Sequence, residues 1–145
     1  MSSSSSLADK QQSLIDDLNI IHDPHERLAA LSSHVGAVQI AEQHKVDANL
    51  VPGCVSRVWL HGQLAEGRAQ FRCDADSPIV RSLAALLCQL YSGTLPAEAA
   101  TVEPKIWEAC GFTKLLSPTR LNGLASVRKR IREMARSWSS GAEAA

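Results

Sequence analysis

Cysteine is scarce in this sequence of 145 residues, and its few copies are widely spaced. They are Cys54, Cys73, Cys88 and Cys110, and no C-x-x-C pair occurs among them. Zinc ribbons and thioredoxin-type redox sites are built on such pairs, so both classes lose their main support. Without a secretion signal a disulfide framework is not expected either. We therefore expect reduced thiols, most of them small buried side chains.

The sequence also lacks an excess of either charge and a long apolar run. Lys plus Arg and Asp plus Glu number 15 each, so no overall field draws the chain to nucleic acid or to an anionic membrane. No apolar run approaches the roughly 20 residues that span a bilayer. Residues 1–6 are serine-rich and have neither the basic nor the apolar region of a secretory signal. We expect a cytoplasmic protein that binds neither nucleic acid nor membrane.

Helix signals occur along most of the chain. Asp23-Pro24, Ser77-Pro78 and Ser117-Pro118 each combine an N-cap residue with proline at the first helical position. Apolar spacing predicts a further helix over residues 7–21 and a short one over 104–110. Residues 37–53 show no period and are interpreted as a long connection. Long ordered connections are uncommon and often functional.

Two runs of β-forming residues predict a hairpin. The first is Val55–His61 and the second, Arg68–Cys73, alternates between polar and apolar residues. Gly62 and Gly67 bracket a loop expected to hold five to six residues. The prediction is one α+β domain over residues 7–138, with a small antiparallel sheet packed against helices. A disordered tail is expected at residues 1–6 and a frayed tail at 139–145.

The segment around Cys54 carries the main chemical hypothesis. Pro52 stiffens the approach to this cysteine, and Gly53 allows backbone angles that other residues resist. A cysteine at such a hinge can point outward as a reactive thiol or inward as a small buried residue. Position alone leaves both interpretations open.

Four sequence blocks, in order, reduce that ambiguity. Residues 52–59, Pro-Gly-Cys-Val-Ser-Arg-Val-Trp, resemble the G-C-x-S-x-V-W signature of the SufE/CsdE family of sulfur acceptor proteins. Residues 73–81, 90–93 and 116–124 are similar to three further blocks of that family. Three positions depart from it, since Val55 stands where Gln is frequent, Cys73 where Gly is common and Ala75 where Ser is common. We assign Cys73, which shares its strand face with apolar residues, to the core.

The resemblance implies a SufE/IscU-like fold and a function. Cys54 would take a persulfide sulfur from a cysteine desulfurase of the SufS or CsdA type and stimulate its turnover. The sulfur would pass to a downstream scaffold for iron–sulfur cluster assembly. Pyridoxal phosphate belongs to the desulfurase, so this chain is expected to hold no cofactor and no metal. It would be a carrier and activator rather than an enzyme.

Five further residues are candidates for positioning the loop or contacting the partner: Gly53, Arg57, Asp74, Asp76 and Arg120. The two aspartates lie just before a helix, where capping is an equally good explanation. Arg120 lies in the first turn of a helix, where the dipole disfavours a cation. That misfit favours a specific role, either an ion pair that holds the Cys54 loop or a contact with the desulfurase.

Two other functions remain open at this level. An IscU-type cluster scaffold needs three clustered cysteines, and only Cys54 has a plausible open position. A stand-alone sulfurtransferase acting on a donor such as thiosulfate needs a basic loop, and Arg57 alone flanks the cysteine. The basic run of residues 128–136 suggests nucleic-acid binding only weakly, because no aromatic platform interleaves it.

Overall fold

Residues 6–144, the part of the chain that this computed structural model describes, contain two antiparallel strands, six α-helices and five short 3-10 helices, four of which lie in the segment before the first strand. Side chains are described for residues 6–139. The predicted α+β class is confirmed. In chain order the elements are α1 (Leu7–Asn19), α2 (Pro24–Ala30), β1 (Val58–Ala65), β2 (Arg68–Ala75), α3 (Pro78–Tyr91), α4 (Pro96–Thr101), α5 (Ile106–Ala109) and α6 (Pro118–Ala144).

The hairpin turn is tighter than predicted. The strands pair as far as Ala65 and Arg68, so the connection is two residues long rather than five to six. Glu66 and Gly67 both have positive φ, 53° and 79°, as a turn matched to the strand twist requires. Gly62 lies inside β1 instead of ending it. A Cβ atom at this position would stand 2.5 Å from the Met134 sulfur, so the missing side chain lets α6 approach the sheet.

The central helix, α3, packs between the sheet and the surrounding helices. Ser77 caps it as predicted, because its hydroxyl accepts a hydrogen bond from the amide of Val80. The large apolar residues from Leu83 onward are fully buried with Phe71 of β2. Burying one leucine side chain contributes about 2 kcal/mol, so this helix supplies much of the stability. The buried members are Leu83, Leu86, Leu87, Leu90 and Tyr91.

One arginine of the basic run on α6, Arg128, is buried. Arg128 is only 4% exposed, and its guanidinium donates to the carbonyls of Ala99 at 2.7 Å and Val102 at 3.0 Å. It also pairs with Glu103 at 2.9 Å. These contacts satisfy carbonyls at the end of α4, a helix that the sequence did not predict. The buried arginine therefore holds α4 against α6 rather than contacting a ligand.

Removing this arginine is expected to cost stability. In Arg128→Leu the two carbonyls lose their donor in a largely buried place and Glu103 keeps only the more distant Arg132 as a partner, so we expect a loss of about 3 kcal/mol in the free energy of unfolding. Urea denaturation measures it. Arg136→Leu on the same helix is the matched control, because Arg136 is exposed and should change stability by less than about 0.5 kcal/mol. Equal effects of the two changes would contradict the assigned role.

Disorder at residues 1–6 and fraying at residues 139–145 stay predictions. Residues 1–5 lie outside the described residues, and Ser6 caps α1 by accepting a hydrogen bond from the amide of Asp9 at 3.1 Å. The backbone of α6 stays helical to Ala144, through most of the segment where fraying is expected. None of the helices described is both long and apolar enough to cross a membrane.

Candidate functional site

Cys54 lies on a short loop whose two ends are joined. The amide of Val51 donates to the carbonyl of Val58 at 2.8 Å and closes the base of the loop. The strand predicted from Val55 therefore begins only at Val58, and Val55 is 85% exposed on the loop. Cys54 stands outside regular secondary structure.

The thiol of Cys54 points at α6 and borders a pocket. Its Sγ atom donates to the carbonyl oxygen of Gly123 at 3.4 Å. Gly123 also leaves room for the sulfur, since a Cβ there would lie 3.7 Å from Sγ. The pocket has a volume of about 170 Å³. Its walls are Cys54, Val55, Ser56, Val80, Ser117, Thr119, Arg120 and Gly123.

This environment favours the protonated thiol. Burial raises the pKa of Cys54 above its usual value. A group whose pKa is raised in the folded protein contributes to folding stability while it is protonated. This contribution to stability is lost as the pH rises above the ordinary thiol pKa of about 8.5. The buried thiol is thus a weak nucleophile near neutral pH, and movement toward solvent favours the reactive thiolate.

Gly53, in the loop next to Cys54, packs closely against α6. Its φ is +87°, in the left-handed region, and a Cβ atom would stand 2.8 Å from Oγ of Ser126 on α6. The sequence predicted an unusual backbone at this position. The close approach to α6 depends on the tertiary structure and had no signal in the sequence.

Two glycine-to-alanine changes separate these effects. Gly53→Ala and Gly67→Ala both place a side chain at positive φ, but only Gly53 meets another group within 4 Å. We expect Gly67→Ala to cost about 1 kcal/mol from the backbone alone, and Gly53→Ala to cost roughly 1 kcal/mol more. Urea denaturation measures both. In the Ser126→Gly background the extra cost of Gly53→Ala should vanish, and its persistence would contradict the steric explanation.

Arg57 and Asp76 fasten the end of the loop to the turn before α3. The Nε atom of Arg57 lies 2.9 Å from Oδ2 of Asp76, and the amide of Asp76 donates to the carbonyl of Arg57 at 3.0 Å. The guanidinium also lies 5.4 Å from the centre of the Trp59 ring. Both charged side chains are exposed, so the pair orients the loop more than it stabilises the fold.

Asp74 secures the connection that leads to the loop. Its carboxylate lies 3.0 Å from Nζ of Lys45 and 2.7 Å from Nε of Arg81. Burial alone would raise its pKa, but the hydrogen bonds from Lys45, the Ala75 amide and Arg81 outweigh it and lower the pKa. Asp74 therefore does not cap α3, which Ser77 does. Sequence reasoning missed Lys45, because a lone lysine in an irregular segment gives no signal.

Arg120 is exposed and lines the pocket beside Cys54. Among the carboxylates of residues 6–139, none forms an ion pair with it, so other contacts hold the loop. Three other residues of the pocket wall, Ser56, Ser117 and Thr119, carry hydroxyl groups. A cation and three hydroxyl-bearing residues thus line the space next to the sulfur.

The other cysteines lie apart from this pocket in the core. Cys73 is 2% exposed, and Cys88 and Cys110 are fully buried. Within the part of the chain that the structure describes, no three His, Cys, Asp or Glu side chains cluster in a way that could hold a metal ion. Cys54 is therefore the one cysteine with access to solvent.

The fold and site define a small α+β protein with one accessible cysteine on a closed loop, and the sequence places it in a known family. Residues 12–135 match the family described as SufE, Fe-S metabolism associated domain. The chain belongs to the SufE family.

Individual relatives agree with this membership. An uncharacterized SufE-like protein of Synechocystis is 32% identical over 120 residues, covering 82% of this chain and 76% of the relative. One from Rhizobium etli is 35% identical over 129 residues, covering 85% and 87%. SufE-like protein 1, chloroplastic/mitochondrial, from Arabidopsis thaliana is 30% identical over 131 residues, covering 89% of this chain and 35% of the longer relative.

A solved structure shares the fold. The solution structure of a hypothetical protein from Thermus thermophilus has a TM-score of 0.74, with 90% of this chain and 96% of that chain covered. Its sequence identity is 19%, so the likeness concerns the fold alone.

Proposed function

We propose that this protein accepts a sulfane sulfur from a cysteine desulfurase on Cys54 and stimulates the turnover of that enzyme during iron–sulfur cluster assembly. One observation supports this most. Cys54 is the only partly exposed cysteine of the four, and it lies on a closed loop next to a pocket with room beyond its sulfur. Membership in the SufE family supports the link to iron–sulfur metabolism.

The reaction is a thiol–persulfide exchange. The Cys54 thiolate attacks the outer sulfur of the partner's cysteine persulfide, and a new sulfur–sulfur bond forms as the old one breaks. The partner's cysteine leaves as a thiolate and takes up a proton equivalent to the one that Cys54 gave up. No net oxidation occurs, and each protein keeps the same number of sulfur–carbon bonds.

The residues around Cys54 have distinct roles in this proposal. Gly53 provides the backbone freedom with which the loop moves Cys54 between the pocket and the partner. Asp74, Asp76 and Arg57 hold the two ends of the loop in place during that movement. Arg120 supplies a positive charge next to the anionic persulfide when the loaded cysteine returns to the pocket.

The partner supplies the remaining chemistry. Pyridoxal phosphate resides in the desulfurase, of the SufS or CsdA type, and the sulfur goes on to a cluster-assembly scaffold. The chain itself acts as a carrier and activator. A cytoplasmic setting remains a prediction.

The structure supports the two alternative functions, cluster scaffold and stand-alone sulfurtransferase, less well. An IscU-type scaffold would need two further cysteines beside Cys54, yet Cys73, Cys88 and Cys110 lie in the core. Recruiting them would require the core to open. A sulfurtransferase for thiosulfate would need several cations at the thiol, and Arg120 is the one cation in the wall of its pocket among the residues described.

Stimulation of a desulfurase tests the proposal. Alanine release from cysteine by a SufS-type desulfurase is measured while this protein is titrated in. A saturable increase is expected, whereas an unchanged rate at every concentration would contradict the proposed function. Anaerobic reconstitution with iron and sulfide checks the scaffold alternative, which would give a stable visible chromophore.

A further inference from the structure

A second pocket lies on the outer face of the hairpin, away from Cys54. Its volume is about 140 Å³. His61 of β1 stands opposite Arg72 of β2, and Gln63 stands opposite Gln70. Side chains two residues apart on a strand share a face, so these four project to the same side. The long connection adds His44 and Ala41 to the wall.

The two histidines of this pocket lie ring against ring. The centroids of the His44 and His61 rings are 3.9 Å apart, and the rings are tilted by only 8°. Burial, and then the neighbouring His44 and Arg72, lower the pKa of His61. Three groups that can carry positive charge therefore converge on one small space.

No acidic side chain among residues 6–139 forms an ion pair with these groups. The ion pairs among residues 6–139 leave out Arg72, His44 and His61. Glu42 and Asp74, the acidic residues next to them in sequence, are both engaged by Lys45. The other pairs are Arg57–Asp76, Arg81–Asp74, Arg128–Glu103 and Arg132–Glu103. A concentration of donors and potential cations without a counter-charge favours an anion.

We propose that this pocket binds a small tetrahedral oxyanion of the sulfate or phosphate type, held by Arg72 and by the two imidazoles. The guanidinium donates to two oxygens of the anion as a fork, and each imidazole donates one N–H. The amides of Gln63 and Gln70 offer further donors. The site is distinct from the sulfur-accepting pocket, and its occupant bridges β1 and β2 to the connection that leads to Cys54.

A metal ion fits this arrangement poorly. Ligands of a zinc ion point their lone pairs at one centre in a tetrahedron. The His44 and His61 rings instead face each other across their flat surfaces, and a bound cation would have to approach Arg72.

The proposed site has a defined pH dependence. A bound anion favours the protonated form of His61, whose pKa burial lowers, so the anion binds more tightly as the pH falls below the ordinary histidine value of about 6.5. Arg72 stays charged throughout. Asp74, whose pKa is lowered by its hydrogen bonds, and Lys45, whose pKa is raised by its pairing with Asp74, keep their charge over this range.

Sulfate is the probe for the test, because it remains a dianion between about pH 5 and about pH 8. The C–H signals of His44 and His61 are followed by NMR during a sulfate titration at these two pH values, with chloride at matched ionic strength. We expect saturable shifts of both signals and tighter binding at the lower pH, where the His61 imidazole becomes protonated. The exposed His22 and His25 serve as internal references and should show no saturable shift.

Two variants sharpen the test. Arg72→Gln, and independently His44→Gln, should weaken sulfate binding at least about tenfold, while Arg136→Gln on α6 should leave it unchanged. The proposal is overturned by non-saturable shifts, by equal affinity at the two pH values, or by Arg72→Gln binding as tightly as the unchanged protein. Saturation of the same signals by zinc chloride but not by sulfate also overturns it and identifies a metal site.

Discussion

Replacing Cys54 by serine is expected to abolish stimulation of the desulfurase. The serine hydroxyl has nearly the size of the thiol and can donate the same hydrogen bond to the Gly123 carbonyl, so the loop should keep its place against α6. A hydroxyl cannot form a stable persulfide, and the loss is therefore chemical rather than structural. Alanine release in the presence of Cys54→Ser should fall to the rate of the desulfurase alone.

The three buried cysteines provide the controls. Cys73→Ser, Cys88→Ser and Cys110→Ser each put a hydroxyl into the core, at a cost of about 1–3 kcal/mol in the free energy of unfolding where it finds no partner. These variants should lose stability in urea denaturation and, when folded, still stimulate the desulfurase. Full stimulation by Cys54→Ser would refute the assignment of the acceptor.

Reversing the charge of Arg120 is expected to have the second largest effect. Arg120→Glu places a carboxylate in the wall of the pocket that would hold the anionic persulfide. Two like charges a few ångströms apart at a protein surface repel by several kcal/mol, and each 1.4 kcal/mol corresponds to a factor of about ten. We expect the rate of sulfur transfer to fall roughly ten- to a hundredfold.

The fold should survive this change, because Arg120 is exposed. Arg120→Lys keeps the positive charge and should retain most of the transfer rate, whereas Arg120→Ala should be intermediate. Arg136→Glu, an equal charge reversal at another exposed position of α6, controls for the overall charge of the protein. If Arg120→Glu and Arg136→Glu reduce the rate equally, a role at the pocket is excluded.

The sequence predicted the elements whose signals are local. The helices capped at Asp23, Ser77 and Ser117 begin where a cap and a proline coincide, since both act within the first turn. The predicted length of the hairpin turn was wrong because Gly62 was interpreted as a loop residue, whereas it pairs within β1. Its packing against Met134 involves residues far apart in sequence, which no local pattern reveals. Helix α4 was missed because Arg128 of α6 holds its last carbonyls.

In the candidate site, too, the features with local sequence signals could be predicted and those that depend on tertiary contacts could not. The Pro-Gly hinge before Cys54 could be predicted, since the preferences of glycine and proline are local. The groups that the loop contacts could not be predicted, because Gly123, which accepts from the thiol, and Ser126, which faces Gly53, lie on a helix about 70 residues further along the chain. The pairing of Asp74 with Lys45 likewise depends on how the long connection folds over the sheet. The roles assigned to Gly53, Arg57, Asp74, Asp76 and Arg120 stay predictions.

The central claim is tested most directly by locating the transferred sulfur. The protein is incubated with a cysteine desulfurase and cysteine, its thiols are alkylated, and its peptides are analysed by mass spectrometry. One additional sulfur, about 32 Da, should appear on the peptide that contains Cys54 and on no other cysteine peptide. An added sulfur on Cys73, Cys88 or Cys110, with Cys54 unmodified, would contradict the proposed function.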